Sequence, residues 1–219
     1  MQVKLKIIKS KRRTISLSIN NDAELVARVP YNYDKAKLDA FIKEKSKWIV
    51  KHLKEVEAGK LKYAPFKVED RAVLTILEKN YTINLKPNIK TKIVDDNIVL
   101  PSLNSKKHLI NLIKKIALNY LQERVPQLSF KFNFKYGNIK VGSAKTVWGS
   151  CSGRNDLNFT YKLMFTPYFV VDYIIIHELS HTKIKNHSAK FYQLVKNCMP
   201  NYKLAEQWLK ENKGVINYL

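Results

Sequence analysis

Cysteine, glycine and long hydrophobic runs are scarce in this chain of 219 residues. The two cysteines, Cys151 and Cys198, fit a reducing compartment, and a disulfide is not predicted. No hydrophobic run reaches about 18 residues, so no membrane span is expected. The first residues alternate polar and apolar side chains, so no secretion signal is expected and the predicted location is the cytoplasm.

Arginine is also rare, although the chain is strongly basic. The 40 Lys and Arg residues exceed the 18 Asp and Glu residues and give a net charge of +22, which is typical of proteins that bind nucleic acid or an anionic surface. Only 6 of the basic residues are arginine, the residue preferred for bidentate phosphate and base contacts. Lys, Asn and Ile also make up about a third of the chain, a bias that an AT-rich coding sequence produces. Non-specific nucleic-acid binding therefore stays an alternative.

The pattern of the N-terminal half predicts strands interrupted by one helix. Residues 2–30 alternate apolar and polar side chains, which indicates a strand meander. Asp34 is the expected cap of a helix that runs to about Glu57 and is ended by Gly59. Residues 61–101 contain further short strands. The predicted class is α+β, with a β-rich region over 1–102 and a second region over 103–219; a boundary near 59–65 or a single domain are the alternatives.

The C-terminal half begins with a predicted amphipathic helix over 103–124, ended by Pro126. Residues 139–161 predict a hairpin with a turn at 153–156. Thr166 then caps a helix with Pro167 at its first position. The apolar run over 169–176 surrounds this helix on nearly every side, so we expect it to be central and buried.

His177 and His181 at the end of that helix are spaced for metal binding. Residues four apart lie one above the other on a helix, so both imidazoles can reach one ion. Glu178 is turned about 100° from His177 and suits a second role, holding a water beside the metal and taking its proton. The sequence His177-Glu178-Leu179-Ser180-His181 is the HExxH pattern of zinc hydrolases.

His187 is the expected third ligand, which requires the chain to leave the helix and turn back. Extended zinc motifs usually place Gly three residues after the second His, where this chain has Ile184. Asn186 best tolerates a left-handed conformation, so the turn is predicted there, with Ser188 as the cap of the next helix. Three ligands leave a fourth position open for water, the arrangement of a catalytic zinc site.

The same region resembles a known family. The segment Trp148-Gly149-Ser150-Cys151-Ser152, then Leu157-Asn158, Asp172-Tyr173, the HExxH segment, Asn186-His187-Ser188 and Phe191 are similar to those of the YgjP-like metallopeptidases, which are related to the SprT-like and WLM groups. The resemblance is strong from about residue 140 to 210. It implies a zincin-like metallopeptidase core, Zn²⁺ on His177, His181 and His187, and Glu178 as the catalytic acid/base.

The hairpin is a candidate substrate-binding element. In zinc proteases the substrate commonly pairs as an extra strand along a sheet edge, so either strand of the hairpin is a candidate edge, with Trp148, Gly149, Ser150 and Asn158 as candidate contacts. The alternative is that Trp148, Leu157 and Phe159 are simply part of the core and that Gly149 makes room for close packing. Cys151 is expected to be a small buried thiol rather than a nucleophile or ligand.

The predicted function is that of a zinc metallopeptidase. Zinc would lower the pKa of its water toward about 7, and Glu178 would take the proton and pass it to the leaving amine of a protein or peptide substrate. The alternatives are a zinc hydrolase of a non-peptide bond, a nucleic-acid-associated zinc protein, and a protease that acts on DNA-bound protein. The sequence does not specify the oligomeric state.

Overall fold

The computed structural model of the protein describes residues 4–20, 22–62 and 65–219, without the side chains of 58–62. Its contacts form two compact units, Met1–Ala64 and Pro65–Leu219. Helices and strands occur in both units, so the predicted α+β class is confirmed. The domain division at residues 102 and 103 stays a prediction. Among the described residues, no helix has both the length and the apolar character needed to cross a membrane.

The first unit is a small sheet covered by two helices. Its elements are β1 Leu5–Ser10, β2 Ser16–Ile19, β3 Leu25–Pro30, α1 Lys35–Glu44 and α2 Ser46–Lys62. The order is β1-β3-β2, with β1 parallel to β3. The predicted meander is therefore wrong, because β3 lies between the two earlier strands instead of at an edge.

The single helix predicted from Asp34 is two helices. Asp34 does cap the first, since its Oδ1 accepts a hydrogen bond of 2.8 Å from the Ala36 N–H. The chain turns at Lys45, and the second helix continues past Gly59, which does not end it. The two helices cover different parts of the sheet: Leu38 of α1 packs with Ala27 and Val29, whereas α2 packs on Leu25.

The second unit begins with a sheet of four strands. They are β4 Val73–Ile76, β5 Lys79–Lys86, β6 Lys92–Val94 and β7 Asn97–Pro101, in the order β4-β5-β7-β6. The strands predicted within 61–101 are confirmed. The sequence did not predict β6, because its three residues are all exposed and show no apolar alternation.

The long helix α3, Ser105–Phe132, continues through Pro126. The prediction that Pro126 ends the helix is wrong. Proline inside a helix costs about 3 kcal/mol, but here the apolar stripe extends past it, and Val125 and Leu128 are both buried. Burying these side chains in the main core offsets the lost backbone hydrogen bond.

The sheet beside the candidate site has three strands, β8 Ile139–Gly142, β9 Gly149–Cys151 and β10 Leu157–Thr160. Their order is β8-β10-β9, so β10 is central and β9 is an edge. The predicted hairpin of β9 and β10 is confirmed, because the two pair in antiparallel register. Leu157 and Phe159 of β10 are buried in the main core.

Helix α4, Tyr168–Ser180, is central in this unit, as predicted, and contacts α3, β9 and two later helices, α5 Ala189–Cys198 and α6 Tyr202–Glu211. From Val170 onward its apolar residues are buried, whereas Tyr168 and Phe169 in its first turn are exposed. The predicted start is wrong by one residue: Pro167 is the N-cap, and the Thr166 hydroxyl donates to the Leu163 carbonyl at 2.8 Å instead of capping the helix.

Candidate metal centre and active-site cleft

Three imidazoles meet at the C-terminal end of α4. His177 lies in its last turn, His181 is the C-cap, and His187 returns from the loop that follows. The Nε2 atom of His187 is 3.0 Å from that of His177 and 3.1 Å from that of His181. The potential ligand atoms of the three side chains all lie within 4.8 Å of one another. The structure thus brings together the three histidines proposed as ligands.

The chain turns back toward His187 without any left-handed residue. The Thr182 and Lys183 N–H groups donate to the Leu179 and Ser180 carbonyls at 3.0 and 3.1 Å, which tightens the end of the helix. Asn186 does not have positive φ, so the predicted left-handed turn is wrong. These tight turns remove the need for glycine. The N-cap predicted at Ser188 is confirmed.

The three nitrogens fit a metal ion. Nδ1 of His181 lies 3.0 Å from the Ile184 carbonyl, to which only a protonated Nδ1 can donate, so Nε2 keeps its lone pair for a ligand. Burial, and then the charges of the other two imidazoles, lowers the pKa of His177 to about 4, which keeps this ring neutral at pH 7. Neutral imidazole is the form that binds metal.

Phe191 packs against all three imidazoles. Its ring centroid lies 4.9, 4.4 and 5.0 Å from those of His177, His181 and His187, and it is 0 % exposed. Because α5 begins two residues after His187, Phe191 comes from the first turn of that helix. The packing restricts the orientation of each ring.

Glu178 lies beside the histidines in a cleft of about 530 Å³. The residue is only 5 % exposed, and burial raises the pKa of its carboxyl group to about 7. Among the described residues, no group donates a hydrogen bond to this carboxylate. A carboxyl group with a pKa near 7 can both accept and release a proton at neutral pH.

The four candidate substrate contacts occupy different places. Trp148, Gly149 and Ser150 line the cleft. Asn158 does not line it; this residue lies on the central strand β10, in register with Ser150.

Apolar side chains that the sequence reasoning missed complete the cleft. Tyr173 and Ile174 precede His177 by about one turn on α4, and Leu209 comes from α6. The spacing of Tyr173 from His177 is a helical signal that could have identified it. Leu209 had no such local signal. The Tyr173 hydroxyl donates a hydrogen bond to the Glu206 carboxylate at 2.9 Å, and burial raises the pKa of Tyr173.

Lys185 links the ligand-bearing loop to the hairpin. Its Nζ donates to Asn155 Oδ1 at 2.6 Å and to the Ser152 carbonyl at 3.0 Å. The Sγ atom of Cys151 lies 3.8 Å from the same Nζ, and Cys151 lines the cleft. Burial raises the pKa of its thiol, which disfavours a nucleophilic thiolate.

Asp172 on α4 forms an ion pair with Arg124 on α3. Arg124 donates from Nε and from its terminal nitrogen to the two Asp172 oxygens, at 2.7 and 2.5 Å. This pair joins α3 to α4, and Asp172 does not line the cleft.

The family model "YgjP-like, metallopeptidase domain" matches residues 13–212. The crystal structure of the metallopeptidase zymogen jannalysin of Methanocaldococcus jannaschii is similar at 25 % identity and a TM-score of 0.37, over 41 % of this chain and 92 % of that chain. No curated protein matches. Since the family match spans most of the chain and includes all three histidines, the protein belongs to the YgjP-like metallopeptidases and is a metal-dependent peptidase.

Proposed function

We propose that the protein is a zinc peptidase in which His177, His181 and His187 hold the ion and Glu178 is the general acid/base. The observation that carries this proposal is the convergence of three Nε2 atoms in the same cleft as a buried carboxylate. An all-imidazole set suits Zn²⁺ and leaves a coordination position open. When bound, Zn²⁺ supplies a Lewis acid that polarises the scissile carbonyl and acidifies water.

Glu178 moves the proton in this proposal. Its carboxylate accepts a proton from the attacking water, and the resulting acid gives that proton to the nitrogen of the leaving amine. The C–O bond forms first, and the C–N bond then breaks as the nitrogen takes up the proton. One water and one peptide bond thus yield a carboxylic acid and an amine, which become a carboxylate and an ammonium group at neutral pH. The pKa of about 7 suits both steps.

The edge strand β9 supports a protein or peptide as the substrate. One edge of β9 pairs with β10, and no other described strand pairs with its second edge. Since Gly149, Ser150 and Cys151 line the cleft, an extended peptide that added to this edge would lie beside the histidines. Main-chain pairing would be largely independent of the substrate sequence. Of the two strands first considered, β10 is central, which leaves β9 as the candidate edge.

A two-metal nuclease is less well supported. Such sites use several carboxylates around a pair of ions, whereas the cluster found among the described residues consists of three histidines. A peptidase with one metal ion agrees better with this set.

The test is hydrolysis of casein-derived peptides by zinc-loaded protein. Glu178→Gln should lower kcat by about 10²–10⁴-fold while zinc stays bound, because glutamine cannot accept the proton. The matched control is Glu123→Gln, which changes an exposed glutamate on α3. Near-normal turnover by Glu178→Gln would show that the general acid/base is another group.

A further inference from the structure

The first residue of β9 has no space for a side chain. A Cβ atom at Gly149 would lie 2.7 Å from both Cγ and Oε1 of Glu178 and 3.0 Å from its Cδ. Real Cβ contacts are essentially never shorter than 3.0 Å. Alanine at this position would therefore occupy the space that the Glu178 side chain fills.

This contact is important because packing alone positions the Glu178 carboxylate. Among the described residues, no donor holds either of its oxygens, so no hydrogen bond restores the position of the carboxylate after a displacement. The residue is also 5 % exposed, and Leu179 and Ser180, which follow it on α4, are buried. A displaced side chain would have to leave its rotamer, and its carboxylate would then move relative to the histidines that line the same cleft.

The other described glycines near this sheet do not contact Glu178. A Cβ at Gly137, before β8, would clash with the Asp156 carboxylate, which does not line the cleft. A Cβ at Gly142 on β8, or at Gly153 in the turn between β9 and β10, meets nothing within 4 Å. None of the described glycines has positive φ, so backbone strain does not explain the glycine at position 149. What is particular to Gly149 is its contact with Glu178.

We propose that Gly149 is a positioning residue for the peptidase reaction. The absence of a side chain lets the β9 main chain lie directly on Glu178, and this contact holds the carboxylate toward the cleft that contains the histidines. The inference rests on the proposed role of Glu178. It gives the glycine of the Trp-Gly-Ser-Cys-Ser segment a function beyond close packing.

A stability cycle tests the contact without any activity measurement. Gly149→Ala should lower the Tm of the zinc-loaded full chain by about 2–12 °C, the range expected for overpacking a core. The loss should largely disappear in a Glu178→Ala background, which removes the three clashing atoms. Gly142→Ala is the control and should shift Tm equally in both backgrounds. An equal loss from Gly149→Ala in both backgrounds would overturn the contact.

Kinetics then test the positioning role. Gly149→Ala should lower kcat by about tenfold or more relative to Gly142→Ala, with KM changed by less than about threefold and the same zinc content. In a Glu178→Gln background it should lower kcat no further. A kcat within threefold of the control, or a loss of zinc, would refute the role. Because the stability cycle needs no turnover, a protein without peptidase activity would count against the proposed function and not against the contact.

Discussion

His187 offers the most direct test of the metal centre, because it is the ligand that the loop must return to the helix. Its imidazole is exposed, so His187→Ala should change the stability of the metal-free protein little. It should instead weaken zinc binding, since Nε2 of His187 is within 3.1 Å of both other Nε2 atoms. Loss of a group that merely orients a ligand weakens metal binding by about 10–100-fold, so loss of a ligand should cost about 100-fold or more.

Zinc-dependent stabilisation converts this loss into a measurable shift. At a zinc concentration about 1,000 times Kd, binding stabilises the folded wild type by about 4.1 kcal/mol. For a unit of this size, that raises Tm by roughly 8–16 °C. If His187→Ala weakens binding about 100-fold, the same concentration adds about 1.4 kcal/mol, and the rise shrinks to roughly 3–6 °C.

The assay is thermal unfolding of the chelator-treated protein with and without zinc. His108→Ala is the matched control, because this histidine lies in the same unit outside the metal cluster. It should keep the full zinc-dependent rise, and so should Glu178→Gln. An undiminished rise in His187→Ala would remove His187 from the ligand set. Glu206, already bonded to Tyr173, would then be the next candidate.

Three further outcomes are expected. Asp172→Asn should lower Tm by roughly 2–8 °C, because it breaks a bidentate pair with Arg124 that is only partly exposed to solvent. Glu123→Gln is the control, and an equal change in both variants would mean that the pair contributes nothing. Burial lowers the pKa of Lys162 below its ordinary value of 10.5. The charged side chain therefore destabilises the fold at neutral pH, and this loss of stability disappears as the pH rises to 10.5. The wild type should therefore gain Tm relative to Lys162→Met between pH 7 and pH 10.5, and a pH-independent difference would contradict the shift. Any nucleic-acid binding should be electrostatic, so affinity should fall by about 10³-fold between about 50 and 200 mM salt if roughly six phosphates are engaged. The measurement is binding to several unrelated duplexes and single strands, and a strong preference for one sequence would contradict this prediction.

Local spacing and capping in the sequence were enough to predict several elements. Asp34 as a helix cap, the hairpin of β9 and β10, and the buried helix before His177 are all confirmed. These predictions depend on contacts between residues close in the chain, where helix and strand periodicity fixes which side chains share a face. For the same reason, the spacing of His177 and His181 sufficed to propose a shared metal ion.

The failed predictions concern competition between local preference and distant packing. Pro126 opposes helix formation locally, yet the helix continues because Val125 and Leu128 are buried in the core. The insertion of β3 beside β1 likewise depends on pairing between residues 20 positions apart, such as Leu5 and Leu25. No short segment contains that information.

The site shows the same division between sequence and tertiary structure. Motif spacing identified the three histidines and Glu178 as candidates, because the chemistry of a zinc hydrolase requires those residue types in that order. Only the folded chain places Leu209 in the cleft, leaves Asn158 outside it, and lays the main chain of Gly149 against Glu178. These placements depend on how segments far apart in the chain pack around a common core, and sequence periodicity does not specify that packing.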